Sequence, residues 1–233
     1  MPVNQATLEP GGGRAAGTLQ HHFADLGQQH ESATLGMWIF LLTEVMFFGG
    51  LFAAYLIYRL AYPAVFVAAS RHMEFWAGTA NTVVLLTSSL TMALGVWAAQ
   101  TGRRKLLALF LLATLFFGIV FLGVKAYEYH HHWLQHDVPG PGFQWLDGNG
   151  QPAPDAREAQ IFFSLYFAMT GVHALHMAIG IGLVAFLLYR GWRGAYTAQY
   201  HTPVENVGLY WHFVDIVWIF LYPLLYLISQ RHG

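Results

Sequence analysis

The chain has 233 residues, of which 56% are hydrophobic and only 10% charged, with a formal net charge of −1. A soluble domain carries about 25% charged residues, so the composition describes a polytopic membrane protein, and the near-zero charge advertises neither a nucleic-acid nor an anionic-surface partner. There is no cysteine, which excludes disulfides, iron–sulfur clusters and any copper or zinc site built on thiolate.

Residues 1–34 contain GGG, QHH and QQH with no apolar core. They read as a polar, mobile N-terminal tail, neither a signal peptide nor a span. The membrane domain, residues 35–233, then offers five apolar runs: about 35–58, 75–99, 106–129, 161–189 and 205–229. Each is long enough to cross the hydrocarbon, for which about 20 residues suffice. The fold class expected is an all-α bundle of five transmembrane helices. Between the first two spans lie Arg59, Pro63, Arg71 and Glu74. Arg103-Arg104-Lys105 makes a tight turn before the third span, and 130–157 is a long polar segment rich in Pro and Gly. Assigned to alternate sides, Lys and Arg number six on the side of the tail and five on the other. The positive-inside rule then puts the N-terminus in the cytoplasm and the C-terminus outside.

Each span carries polar groups that call for partners, because such groups turn away from lipid. Glu44 lies near the middle of the first, where a carboxylate costs about 2.5–3.5 kcal/mol on the lenient insertion scale. It is either a proton-active carboxyl, an inter-subunit hydrogen bond, or a neutral acid packed among neighbours. The second span holds Asn81 with Thr82, Thr87, Ser88, Ser89 and Thr91, small groups that suit close helix packing. Lys125, Glu128 and His132 recur at i, i+3 and i+7, so they share a face and the first two can pair. The run His130-His131-His132 cannot converge on one ion from a regular helix, since neighbours point about 100° apart.

The longest uninterrupted run, 161–189, contains His173 and His176 on one face, with Tyr166, Met169, Thr170, Met177 and Gly180 on or beside it. The two histidines are either metal or haem ligands, as i, i+3 pairs are when another helix completes the shell, or imidazoles hydrogen-bonded within a bundle. With no thiolate and no second paired set, no metal is expected at them. In the last span Trp211, Asp215, Trp218 and Tyr222 form one stripe, and Glu205, His212 and Asp215 mark an adjoining one. An indole N–H or an imidazole can satisfy the buried Asp215. Pro223 is expected to kink the helix.

At WHFVDIVWIFLY (211–222) the sequence resembles subunit III of the haem–copper oxidases, and cytochrome c oxidase subunit III most closely. MWIFLLTEVMFF around Glu44, NTVVLLTSS (81–89), KAYEY (125–129) and GVHALHM (171–177) match in the expected order. The resemblance covers nearly everything after the tail. It implies that the five spans correspond to the last five of a seven-helix fold, and that Glu44 corresponds to the family's carbodiimide-reactive buried carboxyl. It further implies an accessory subunit with no catalytic residues and no cofactor of its own, other than structural phospholipid. Haems and copper would lie in its partners, the catalytic subunit I and subunit II of a hetero-oligomer, whose assembly and proton uptake it supports. The five-span form is also typical of quinol oxidases, whereas Glu44 points to the cytochrome c branch. A stand-alone haem or metal protein using His173 and His176, and a small proton-coupled transporter using Glu44 and Asp215, are the competing classes.

Overall fold

A computed structural model describes residues 25–146, 151 and 153–227. Among the described residues the elements are helices: α1 (Leu26–Ala61), α2 (Pro63–Ser70), α3 (Phe75–Gln100), α4 (Arg104–Leu134), α5 (Ala156–Trp192) and α6 (Thr202–Leu225). All but α2 are long and apolar enough to cross a membrane.

The five runs expected from hydropathy are all present, but the helices outrun them at most ends. α1 starts at Leu26, where Asp25 caps it by accepting the Gln28 N–H at 2.7 Å. Residues 26–34 of the expected tail are therefore helical, and residues 1–24 lie outside those described. α4 continues to Leu134 and α5 begins at Ala156, which shortens the polar connection from both sides. The reason is that hydropathy marks the hydrocarbon slab, whereas hydrogen bonding carries a helix on into water until a cap stops it. α6 goes the other way and stops at Leu225, two residues after Pro223. The short α2, opened by Pro63 in its first turn, was not anticipated.

Three helices end in the same way. After α3, the Gly102 N–H bonds the Ala99 carbonyl at 3.0 Å and the Arg103 N–H bonds Ala98 at 2.8 Å, with Gly102 at φ +68°. This is the Schellman arrangement, and glycine accepts its left-handed residue without strain. α5 ends identically at Gly194 (φ +75°). At the end of α4 the left-handed position falls to His136 (φ 60°), and the same turn folds Asp137 back so that its Oδ2 lies 3.1 Å from His132 Nδ1.

Helices α3, α4, α5 and α6 pack in a ring, each against the next. Two tryptophans of α6, two turns apart, form the axle. Trp211 is fully buried; its indole N–H donates to Ser88 on α3 at 3.1 Å. A Cβ added at Gly118 on α4 would meet the Trp211 ring at 2.8 Å, and one at Gly180 on α5 at 3.1 Å. Those two glycines are what let the indole fit. Trp218 repeats the pattern, donating to Thr82 on α3 at 3.1 Å and touching Phe121 on α4 and His173 on α5 through ring contacts. α1 lies outside the ring and packs on α5, α6 and α2; most of its surface is exposed. α2 packs on α5 through buried Phe66, which meets Phe162 edge-on.

Candidate functional site

The acid–base groups singled out in the spans fall into separate clusters, each built where two or more helices cross. The first joins α1 to α5. Glu44 Oε2 lies 3.1 Å from His176 Nε2, and both side chains are largely buried. His176 Nδ1 lies 2.9 Å from the Val172 carbonyl one turn back. A carbonyl only accepts, so Nδ1 carries a hydrogen and Nε2 is the atom turned to the acid. One further proton completes the bond. It can sit on the carboxyl, leaving two neutral groups, or on Nε2, giving an ion pair, and the hydrogen bond persists in either state. Phe48 meets the imidazole edge-on and Tyr210 stacks beside it, so the pair is walled by rings.

The second cluster closes one end of the ring of helices. Lys125 and Glu128, one turn apart on α4, are paired at 2.9 Å and almost fully buried. Lys125 Nζ also donates to Tyr166 of α5 at 3.1 Å and to Tyr226 after α6 at 3.0 Å. Both phenols donate in turn to Glu128 Oε1, at 2.8 and 2.5 Å. The carboxylate thus takes three hydrogen bonds, and the ammonium lies over the rings of Tyr129, Tyr166, Trp218 and Tyr226. The pairing of Lys125 and Glu128 was legible from their spacing. His132 does not join them; its Nδ1 pairs with Asp137.

The third group runs along α6. The indoles of Trp211 and Trp218 go to Ser88 and Thr82, not to Asp215 as expected, because the two rings point to α3 from the levels above and below. Asp215 is buried beside the Ser89 hydroxyl, and neither of its oxygens completes a hydrogen bond among the described residues. Ser89 Oγ is engaged with His212 Nδ1 at 2.7 Å. Asn81 and His173 are likewise buried, with no hydrogen bond at their side-chain N and O atoms among the described residues. For His173 this corrects the expectation of an imidazole hydrogen-bonded in the bundle: it sits between the rings of Phe121 and Trp218.

At the start of α6, Glu205 Oε1 accepts from Gln100 Nε2 at 2.7 Å and lies 3.2 Å from His201 Nε2. His30 of α1 lies 3.8 Å from Glu205 Oε2 and 2.9 Å from Thr202 Oγ1. Sequence spacing had placed Glu205, His212 and Asp215 on a common stripe of the helix; the Glu205 partners on α1 and α3 are remote in sequence and carried no signal. Among the described residues, no three His, Asp or Glu side chains gather where one metal ion could be held. What the geometry brings together is acids and bases: Glu44 with His176 and Glu128 with Lys125 in largely buried pairs, and Asp215 buried without one among the described residues.

The family described as "Cytochrome c oxidase subunit III" matches residues 153–230, which include His173, His176 and Asp215. "Cytochrome c oxidase subunit 3" of Thermostichus vulcanus is 33% identical over 97% of this chain and 99% of its own length. "Probable quinol oxidase subunit 3" of Staphylococcus haemolyticus is 30% identical over 85% of this chain and 90% of its own. "Cytochrome bo(3) ubiquinol oxidase subunit 3" of Pseudomonas aeruginosa is 29% identical, covering 91% and 97%. Likeness of this extent, from α1 to the Trp211–Asp215–Trp218 stripe, means that the chain belongs to the subunit III family of the haem–copper oxidases, integral membrane proteins that are accessory subunits of an oxidoreductase complex.

Proposed function

We propose that the complex this subunit serves is a proton-pumping oxidase that takes electrons from cytochrome c. In this reading the chain sits against catalytic subunit I, with subunit II in the same assembly, and holds no redox centre; haems and copper belong to those partners. It binds phospholipid and sustains proton uptake by subunit I. The observation that carries the reading is the Glu44–His176 pair: a largely buried carboxyl in the middle of a span, held by an imidazole, on a helix with most of its surface free. The cytochrome c donor is supported by the relative so named that matches almost end to end. The relatives named as quinol oxidase subunits support a second reading, with quinol as donor. The purified complex decides between them: it is expected to oxidise reduced cytochrome c, and oxidation of quinol alone establishes the second.

Glu44 gives the sharper test. Glu44→Gln keeps size and hydrogen-bonding capacity toward His176, so initial oxygen-consumption rates are expected to stay nearly unchanged. Glu44→Ala opens a space between α1 and α5 and is expected to shorten the lifetime of the enzyme during sustained turnover. Oxygen uptake followed over many turnovers for both variants measures this. An immediate, large fall in initial rate in the Gln variant, with assembly intact, would make Glu44 a proton carrier and overturn the supporting role.

The orientation proposed puts the N-terminus in the cytoplasm and the C-terminus outside. Its support is the grouping of basic residues at one end. The turns after α3 and after α5 lie side by side, so that a Cβ at Gly194 would meet Arg104 Nη1 at 2.9 Å. Arg103 lies over Trp97 at 4.9 Å and Arg193 over Tyr189 at 4.5 Å, the cation-and-ring pattern of a membrane interface. Single cysteines at Thr101 and Gly142 provide the measurement: from outside intact cells, an impermeant maleimide is expected to reach 142 and not 101. The opposite pattern inverts the topology.

A further inference from the structure

Among the described residues, Asp215 is the one buried acid that neither the bundle nor the proposed function accounts for. It is about 3% exposed, and neither oxygen is hydrogen-bonded among the described residues. An unpaired carboxyl costs more in a lipid-embedded core than almost any other side chain, so a sequence that keeps one there needs a use for it. Its surroundings indicate that use. Next to Asp215 is the Ser89 hydroxyl of α3. Ser89 Oγ is 2.7 Å from Nδ1 of His212, one turn earlier on α6. His212 in turn lines a cavity of about 360 Å³ between α1, α3 and α6. Ala93, Val96, Gly208 and Leu209 wall that cavity, and His30, Thr34 and Glu205 line it toward the start of α6. It has room for several waters at about 30 Å³ each. Trp218, one turn further along α6, is fully buried edge-on against Phe121 of α4.

We propose that Asp215 is a proton-holding site reached through the cavity between α1, α3 and α6, with His212 and Ser89 as the relay. The ligand is a proton delivered by water. With Nδ1 engaged by Ser89, the ring atom left for water is Nε2. A hydronium in the cavity gives a proton to Nε2 and becomes water, and an N–H bond forms there. The Nδ1–H bond breaks as its proton passes to Ser89 Oγ. The hydroxyl's own proton leaves for the Asp215 carboxylate and forms the acid. Histidine ends neutral with its tautomer exchanged, Ser89 is unchanged, and one proton has moved from hydronium to Asp215. The same steps reversed release it. No redox step is involved, and the proposal is independent of which electron donor the complex uses.

Infrared spectroscopy of the purified complex tests this, with the acid C=O band of Asp215 identified as the one lost in Asp215→Asn. If that variant fails to assemble, Asp215→Glu identifies the band by shifting it. The readout is the rate at which the band moves on transfer to D₂O, at a pH where it is present. A positioned proton relay commonly contributes factors of 10² or more, so Ser89→Ala, which breaks the relay, and Ala93→Phe, which fills the cavity, are each expected to slow exchange by about tenfold or more. Wild-type exchange in Ser89→Ala removes the relay, and wild-type exchange in Ala93→Phe removes the route. Either result overturns the proposal, as does an Asp215 band that never exchanges in the parent.

Discussion

Glu128→Gln is expected to cost the folded subunit about 3–5 kcal/mol, the usual penalty for removing one partner of a buried ion pair. The substitution leaves the Lys125 ammonium, 3% exposed, among phenols and rings with no counter-charge. It also weakens the acceptor that Tyr166 and Tyr226 share, and so unties α5 and the end of α6 from α4 at once. Unfolding in detergent with increasing SDS measures the loss. Adding Lys125→Met to Glu128→Gln takes away the stranded charge and is expected to recover most of it, because neutral replacements of buried pairs are often tolerated. A Glu128→Gln protein within about 1 kcal/mol of the parent would show that the pair is not what holds this end of the bundle.

The second large effect is expected at Gly118. A Cβ there meets Trp211 Cη2 at 2.8 Å and Ile181 Cγ1 at 3.1 Å. Trp211 cannot back away, because Gly180 of α5 grips its other edge and Ser88 holds its N–H. Gly118→Val should therefore force α4 and α5 apart around the indole. Overpacking costs about 1–3 kcal/mol, and the indole hydrogen bond adds about 1 kcal/mol if it is lost. Gly123, on the same helix, has nothing within 4 Å of its added Cβ. Gly123→Ala is expected to be neutral or slightly stabilising. The same SDS titration compares the two, and equal effects would mean that the approach to Trp211 is not what requires glycine at 118.

How far the sequence foretold this structure depends on how local each signal was. The five spans were legible because hydropathy is read along the chain, and Lys125 with Glu128 was legible because their pairing lies within one helical turn. Tyr166 and Tyr226, which complete that cluster, are 41 and 101 residues from Lys125. No pattern along the chain links them, so a bland pair at a helix end became a four-residue core. The Glu44–His176 pair spans 132 residues and was equally invisible, although each residue had been picked out alone. Helical spacing went astray at His132 and Asp215. Sharing a face says which neighbours are possible, and local turn geometry or a hydroxyl on another helix then decides. For His132 the decisive turn was the one through His136, a left-handed position that nothing in HHHWLQHD announces.

The attachment of α1 has a mechanical consequence. Outside the ring, α1 is tied to α6 near both ends: His30 to Thr202 at one, and the Tyr55 hydroxyl to the Leu224 carbonyl at the other, with Ser70 of α2 holding the next carbonyl, Leu225, at 2.9 Å. Between these ties, the polar link among the described residues is sideways, from Glu44 to His176 on α5. α1 is thus a stay lashed at two heights to the helix that carries both axle tryptophans. A neighbour leaning on its free face would load α6 along its length. That load falls on the helix bearing Trp211, Asp215 and Trp218, so force applied at the rim of this subunit arrives at its centre.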